Sequence, residues 1–105
     1  MTDTYQKLYQ GQLTTGATTL YSAITASGTI LKHISVINVT SGSVQFQLFR
    51  DGTASTNAIT PYWPIAASGA YEWDGTMALG NGDTLNGLAS AASAVTVTID
   101  GDVVS

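Results

Sequence analysis

Apolar and polar residues alternate with a period of two along most of this chain, the pattern of strands that bury one face. In residues 95 to 99 three apolar residues alternate with two threonines, and in residues 44 to 48 three apolar residues alternate with two glutamines. The helical period of 3.6 residues is nearly absent from the sequence. The pattern therefore predicts an all-β protein.

Eight segments combine this alternation with β-branched or aromatic residues. The candidate strands are residues 8 to 14, 18 to 23, 29 to 39, 43 to 50, 70 to 74, 76 to 79, 83 to 90 and 94 to 104. Short strands separated by Gly, Ser, Asn and Asp turns predict an antiparallel β-sandwich or jelly-roll-like domain. We expect residues 8 to 105 to form this single domain. Residues 1 to 7 are predicted to be an N-terminal arm, either frayed or forming an interface.

The segment from residue 29 to residue 39 is apolar on both of its faces. Under strict alternation one face carries Ile30, Ile34 and Val36, and the other carries Leu31, Ile37 and Val39. A strand that is apolar on both faces must be covered on both. A β-bulge that switches the register or a loop folded over the outside explains the pattern, and so does a subunit interface on the outer face.

Two aromatic-rich segments are candidates for contacts with other molecules. The candidate interface residues are Tyr5, Leu8, Tyr9, Tyr62 and Trp63. Prolines flank the second pair on both sides, which excludes a central strand and predicts an edge segment or exposed loop. Aromatic residues held in this way serve either as contact residues or as a lid on the core.

Composition narrows the possible partners. Charged residues make up 10% of the 105 residues, where soluble domains have about 25%. Three basic residues against seven acids leave no patch for phosphates, so neither nucleic acid nor a membrane surface is a predicted partner. The absence of cysteine excludes disulfides and thiolate zinc sites. Such a weakly charged surface favours association with other subunits.

Candidate catalytic and metal-binding residues are few. His33 is the single histidine, it lies in a candidate strand, and the sequence has no G-x-S-x-G motif. Asp51, Asp74, Asp83 and Asp100 adjoin glycines, so turns explain them better than a carboxylate pair or a calcium site. The sequence predicts no enzyme, no cofactor and no metal.

The glycine-rich run "GNGD" raises the question of a phosphate-binding loop. The dinucleotide pattern requires a third glycine where Leu85 stands, and a strand rather than a helix follows the run. Gly80, Gly82 and Asp83 are therefore predicted to form a turn that leads into a terminal hairpin.

Targeting signals are not evident in the sequence. The first ten residues lack a basic region followed by an apolar run, and no stretch reaches the roughly 18 apolar residues of a membrane span. The expectation is a protein made, and at least initially kept, in the cytoplasm. Asn38, Val39 and Thr40 match the glycosylation sequon, but without a secretory signal we do not predict modification there.

Three blocks of the sequence form a distinctive combination: the strand with His33 that is followed by Thr40 and Ser41, the strand that ends in residues 51 to 53, and the closing block from Leu79 to Gly101. Together they resemble the small all-β accessory structural proteins of tailed-bacteriophage virions. The spacing within the closing block is the most specific of these features. The resemblance covers roughly residues 8 to 104.

The resemblance implies a non-enzymatic virion protein that forms a homo-oligomer, plausibly a trimer. Within this class, a capsid decoration or cement protein that contacts the major capsid protein fits the small size and the lack of a fibrous repeat. A tail, neck or fibre-tip location stays open. The alternative from the residues themselves is a carbohydrate-binding module in which Tyr62 and Trp63 stack on a host sugar.

Overall fold

The computed structural model describes residues 3 to 25, 27 to 52 and 55 to 104, and places them in two packed β-sheets. The strands are β1 (Asp3–Gln12), β2 (Thr18–Ser22), β3 (Thr29–Asn38), β4 (Val44–Arg50), β5 (Trp63–Ile65), β6 (Ala70–Leu79), β7 (Thr84–Ala89) and β8 (Val95–Val104). A 3-10 turn covers Ser55–Asn57. Among the described residues, no helix has the length and apolar content needed to cross a membrane.

The strand order identifies the fold. Sheet A has the order β1-β8-β3-β6 and sheet B the order β2-β7-β4-β5, and neighbouring strands pair antiparallel. This is a jelly roll, in which most connections cross from one sheet to the other. The predicted all-β sandwich or jelly-roll-like fold is confirmed. The predicted terminal hairpin is wrong, because β7 and β8 lie in different sheets.

The core is formed by the inward faces of both sheets, as the alternation predicted. Val95, Val97 and Ile99 of sheet A are each 0% exposed, and they face Phe46 and Leu48 of sheet B. Burial of such apolar area, at about 25 cal/mol per Å², is the main favourable contribution to folding. The threonines and glutamines between these residues point outward.

A β-bulge in β3 explains why that strand is apolar on both faces. The register shifts between Leu31 and His33 against both neighbours: relative to β8, Lys32 is an extra residue, whereas relative to β6 the extra residue lies on β6, where Gly75 and Thr76 stand opposite Lys32. Leu31 thereby joins the core at 0% exposure, while Ile37 and Val39 point outward and are 42% and 54% exposed. The predicted register switch is confirmed, and an apolar outer surface remains at one end of the strand.

The boundaries of two elements differ from the prediction, and the position of a third agrees with it. Residues 3 to 7 are not an arm, because β1 already pairs with β8 from Asp3 onward; residues 1 and 2 lie outside the described part. Candidate strands 70 to 74 and 76 to 79 form one continuous strand, β6. Residues 63 to 65, which include the second proline, form β5 at the edge of sheet B, which agrees with the predicted edge segment.

One buried amide joins three parts of the chain at the end of β3. The side chain of Asn38 is 1% exposed, and its Nδ2 donates hydrogen bonds to the carbonyl oxygens of Gly42 (2.7 Å), Ile65 (3.1 Å) and Ala66 (3.2 Å). Its Oδ1 accepts from the backbone N–H of Thr40 at 2.9 Å and from the Thr40 hydroxyl at 2.7 Å. Asn38 therefore fixes β5 to β3, and its amide nitrogen is enclosed by these partners.

Candidate functional site

The predicted interface residues lie on two opposite edges of the sandwich. Tyr5, Leu8 and Tyr9 belong to β1, an edge strand of sheet A, while Tyr62 precedes and Trp63 begins β5, an edge strand of sheet B. Tyr5 is 63% exposed, whereas Leu8 and Tyr9 are half-buried and pack against the core. The structure therefore separates these residues into two surfaces rather than one.

The surface around β5 is an aromatic edge, defined here as Tyr62 and Trp63. They are 46% and 45% exposed. The Trp63 ring lies 6.0 Å from the Tyr71 ring of β6, which in turn lies 5.3 Å from the buried ring of Phe46. Tilted ring pairs at these separations are favourable. Trp63 therefore covers part of the core and exposes the rest of its side chain to solvent, and its role in contacts with other molecules stays a prediction.

Thr60 holds the chain that leads into the aromatic edge. Its hydroxyl oxygen accepts a hydrogen bond from the backbone N–H of Leu48 at 3.0 Å, and its carbonyl accepts from Nε2 of Gln47 at 3.1 Å. The backbone N–H of Ile59 donates to the carbonyl of Leu48 at 2.9 Å. This segment is therefore fixed to β4 before the aromatic residues begin.

Replacement of Thr60 by valine is expected to lower the free energy of unfolding by about 1 to 3 kcal/mol, because the N–H of Leu48 would lose its buried acceptor. The measurement is urea-induced unfolding of both proteins at pH 7. Thr15→Val, at an exposed position of the loop between β1 and β2, is the matched control and should change stability by less than about 0.5 kcal/mol. Equal stability of the Thr60 variant and the wild type would contradict the assigned bond.

The opposite edge carries a surface groove that the sequence did not reveal. The edge groove, as we name it, has a volume of about 230 Å³ and is lined by residues 6 to 8 of β1 together with Tyr21, Ile24, Thr25 and Val103. The hydroxyls of Tyr21 and Thr29 are hydrogen-bonded at 2.9 Å, which holds the Tyr21 ring in place. Ile24, in the connection after β2, is 81% exposed. The one signal in the sequence is this isolated isoleucine immediately before a turn.

The outer face of sheet A carries a charged cluster around His33. Nε2 of His33 lies 3.6 Å from Oε1 of Glu72 and 3.8 Å from Oδ1 of Asp74, and Nδ1 lies 3.7 Å from Oδ2 of Asp100. The prediction that Asp74 and Asp100 lie in turns is therefore wrong. Both are cross-strand neighbours of His33. The glycines after them lie within β6 and β8, near the level of the bulge.

This cluster does not have the arrangement of a catalytic or metal site. Its members lie on an open sheet face rather than in a cleft, and the carboxylates lie at ion-pair distances of 3.6 to 3.8 Å from the His33 nitrogens. Within the described ranges, no group of three or more His, Cys, Asp or Glu side chains is positioned to hold a metal ion. The cluster is a group of three carboxylates around one imidazole on a solvated face.

The run "GNGD" forms the predicted turn. The backbone N–H of Gly80 donates to Oδ2 of Asp83 at 2.9 Å, the N–H of Asp83 donates to the carbonyl of Gly80 at 2.9 Å, and Gly82 has φ of 92°. A shallow polar cavity of about 390 Å³ lies beside it, lined by residues that include Arg50 and Asp51. Nη2 of Arg50 donates to the carbonyl of Ala78 at 2.7 Å, so this cation already has a structural role.

Comparisons with known proteins support the fold. No family model and no curated protein matches the chain. Among solved structures, it is similar to a chain from Bacillus endospore appendages, which form a family of disulfide-linked pili; the TM-score is 0.55 and the sequence identity is 13%. The similarity covers 96% of this chain and 86% of that chain. A similarity at this level of identity shows that the two chains share a fold.

Proposed function

We propose that this chain is a non-enzymatic structural subunit, and more specifically a decoration or cement protein of a tailed-bacteriophage capsid. The observation that carries the proposal is the exposure of large apolar side chains on a weakly charged fold. These residues are Tyr5, Ile24, Ile37, Val39, Tyr62 and Trp63. They lie on the two edges and on the outer face of sheet A, where they are available to neighbouring subunits.

Physical chemistry links such a surface to assembly. Large exposed apolar groups lose unfavourable contact with water when another subunit covers them. With 10% charged residues, little charge must be desolvated in the process. β1 and β6 are also ten-residue edge strands of sheet A, and long edge strands favour association through their outer sides.

The similarity to a pilus structure supports a structural role in an assembly. Those pili are linked by disulfides, whereas this chain has no cysteine. Its contacts with neighbours are therefore non-covalent in our proposal. The virion location rests on the sequence resemblance, whose most specific block, Leu79 to Gly101, forms the turn, β7 and the first part of β8.

A carbohydrate-binding module is the alternative class, and the half-exposed rings of Tyr62 and Trp63 favour it. Aromatic rings can stack on sugars, but polar side chains must then fix the sugar hydroxyls. The nearby Gln47 amide already donates to the carbonyl of Thr60. An additional polar set at this edge would be needed for specificity.

The purified chain is expected to self-associate at micromolar concentration and to co-sediment with undecorated capsids. Sedimentation velocity over a range of protein concentrations measures the first property, and pelleting with and without shells measures the second. A parallel glycan array tests the alternative class. The structural proposal would be overturned if the protein were monomeric, did not co-sediment with shells and was retained on glycans.

A further inference from the structure

We infer that copies of this chain associate head to tail, with the aromatic edge of one copy seated in the edge groove of the next. This inference deepens the proposed function and rests on it, since it names the partner of both edges. The two surfaces lie on opposite sides of the sandwich, so each copy can offer both at once. A contact between two different surfaces is heterologous, and its repetition forms a ring or a filament.

The groove matches the aromatic edge in size and chemistry. Its volume of about 230 Å³ is below the range of small-molecule pockets, about 300 to 1,000 Å³, and suits one or two side chains. Leu8, Tyr21 and Val103 provide apolar walls, and Ile24 stands at the surface with 81% of its area in solvent. A protruding isoleucine beside a groove is explained if an apolar partner covers it.

The aromatic edge is held in place before any partner arrives. Pro61 and Pro64 restrict the backbone on both sides, Thr60 is bonded to β4, and the Trp63 ring packs against Tyr71. A side chain that is already ordered loses little conformational entropy on binding. Rigid Tyr and Trp residues are the side chains that dominate protein interfaces.

Charge favours unlike edges over like edges. Lys7, one of three basic residues, lines the groove, while the acidic Glu72 and Asp74 lie on β6, whose Tyr71 contacts the aromatic edge. Their side chains are 64% and 81% exposed. A two-fold contact between aromatic edges would bring the acids of one copy close to the same acids of the other copy. It would also leave Ile24 uncovered. The head-to-tail arrangement instead brings them toward Lys7.

Mixing two variants tests this arrangement. Tyr62→Ser removes part of the aromatic edge and leaves the groove intact, while Ile24→Asp damages the groove and leaves the aromatic edge intact. Both positions are exposed, and thermal unfolding confirms that each variant is folded. Each variant alone should self-associate at least about tenfold more weakly than the wild type. Ser41→Asp, in the exposed turn after β3, is the control and should associate like the wild type.

An equimolar mixture of the two variants should regain association at wild-type strength but stop at pairs, because each pair retains one intact contact. Sedimentation velocity resolves such pairs from larger species. Wild-type association by Ile24→Asp alone, or a mixture without pairs, would overturn the head-to-tail arrangement while leaving the structural role in place. A wild-type chain that is monomeric and does not bind shells would overturn both proposals.

Discussion

Replacing Asn38 by aspartate is expected to lower the free energy of unfolding by about 3 to 5 kcal/mol at pH 7, a large part of the stability of a small domain. The substitution keeps the shape of the side chain and exchanges a donor for an acceptor. The carbonyl oxygens of Gly42, Ile65 and Ala66 would then face a carboxylate oxygen in a site that is 1% exposed. Urea-induced unfolding at pH 7 measures the loss.

The pH dependence of this loss separates charge from packing. Burial against carbonyl oxygens raises the pKa of an introduced carboxyl above its unfolded value, so the folded variant takes up a proton first as pH falls. The deficit relative to wild type should therefore shrink from pH 7 to pH 5. Asn38→Ala is the control, since it removes the same bonds without a charge. A deficit of the aspartate variant that is constant with pH would contradict the charge explanation.

Replacing Gly28 by alanine is expected to lower the free energy of unfolding by about 3 kcal/mol or more. Gly28 has φ of 82°, a conformation that disfavours a side chain by about 1 to 2 kcal/mol. A Cβ atom there would also clash with the carbonyl oxygen of Leu79, which is backbone and cannot rotate away. The loop is also fixed to the end of β8, because the carbonyl of Gly28 accepts a hydrogen bond from the N–H of Val104 at 3.1 Å.

The control for this prediction is Gly16→Ala, in the loop between β1 and β2. A Cβ atom at Gly16 would meet nothing within 4 Å. Its substitution should leave the urea midpoint close to that of the wild type. Equal midpoints for the two alanine variants would show that the backbone around Gly28 relaxes freely, and would contradict the prediction.

Alternation was sufficient to predict the class of fold but not the partners of the strands. The inward residues of β4 and β8 could be read from the sequence because each strand buries one face. Which strand lies beside which is decided by contacts between distant segments, and these leave no periodic signal. The last two strands therefore resembled a hairpin although they belong to different sheets.

The bulge and the charged cluster show a second limit of sequence analysis. Relative to β8, Lys32 is an extra residue that brings Leu31 to the core face, and a pattern alone does not say where such a shift occurs. Asp74 and Asp100 precede glycines, which is typical of turns, yet both lie in strands beside His33. Their placement depends on the pairing of three strands across the sheet.

The positions of the candidate interface residues in the fold were predicted in part. The aromatic pair could be recognised because prolines on both sides exclude a central strand, and the structure places it at an edge. Tyr9 was less informative, since an aromatic residue near the N-terminus can equally pack inward, as it does. The edge groove combines β1, the connection after β2 and β8, so it exists only after folding.

The dissimilarity of the two edges has a consequence for any array built through them. β1 and β6 run in opposite directions at the two sides of sheet A, because three antiparallel pairings separate them. When a copy is displaced sideways without rotation, its β1 therefore comes beside β6 of its neighbour and runs antiparallel to it. The two ends of such a linear array differ, because a free groove lies at one end of the array and free aromatic rings lie at the other. Growth can then be stopped at one terminus by a protein that offers only the complementary surface.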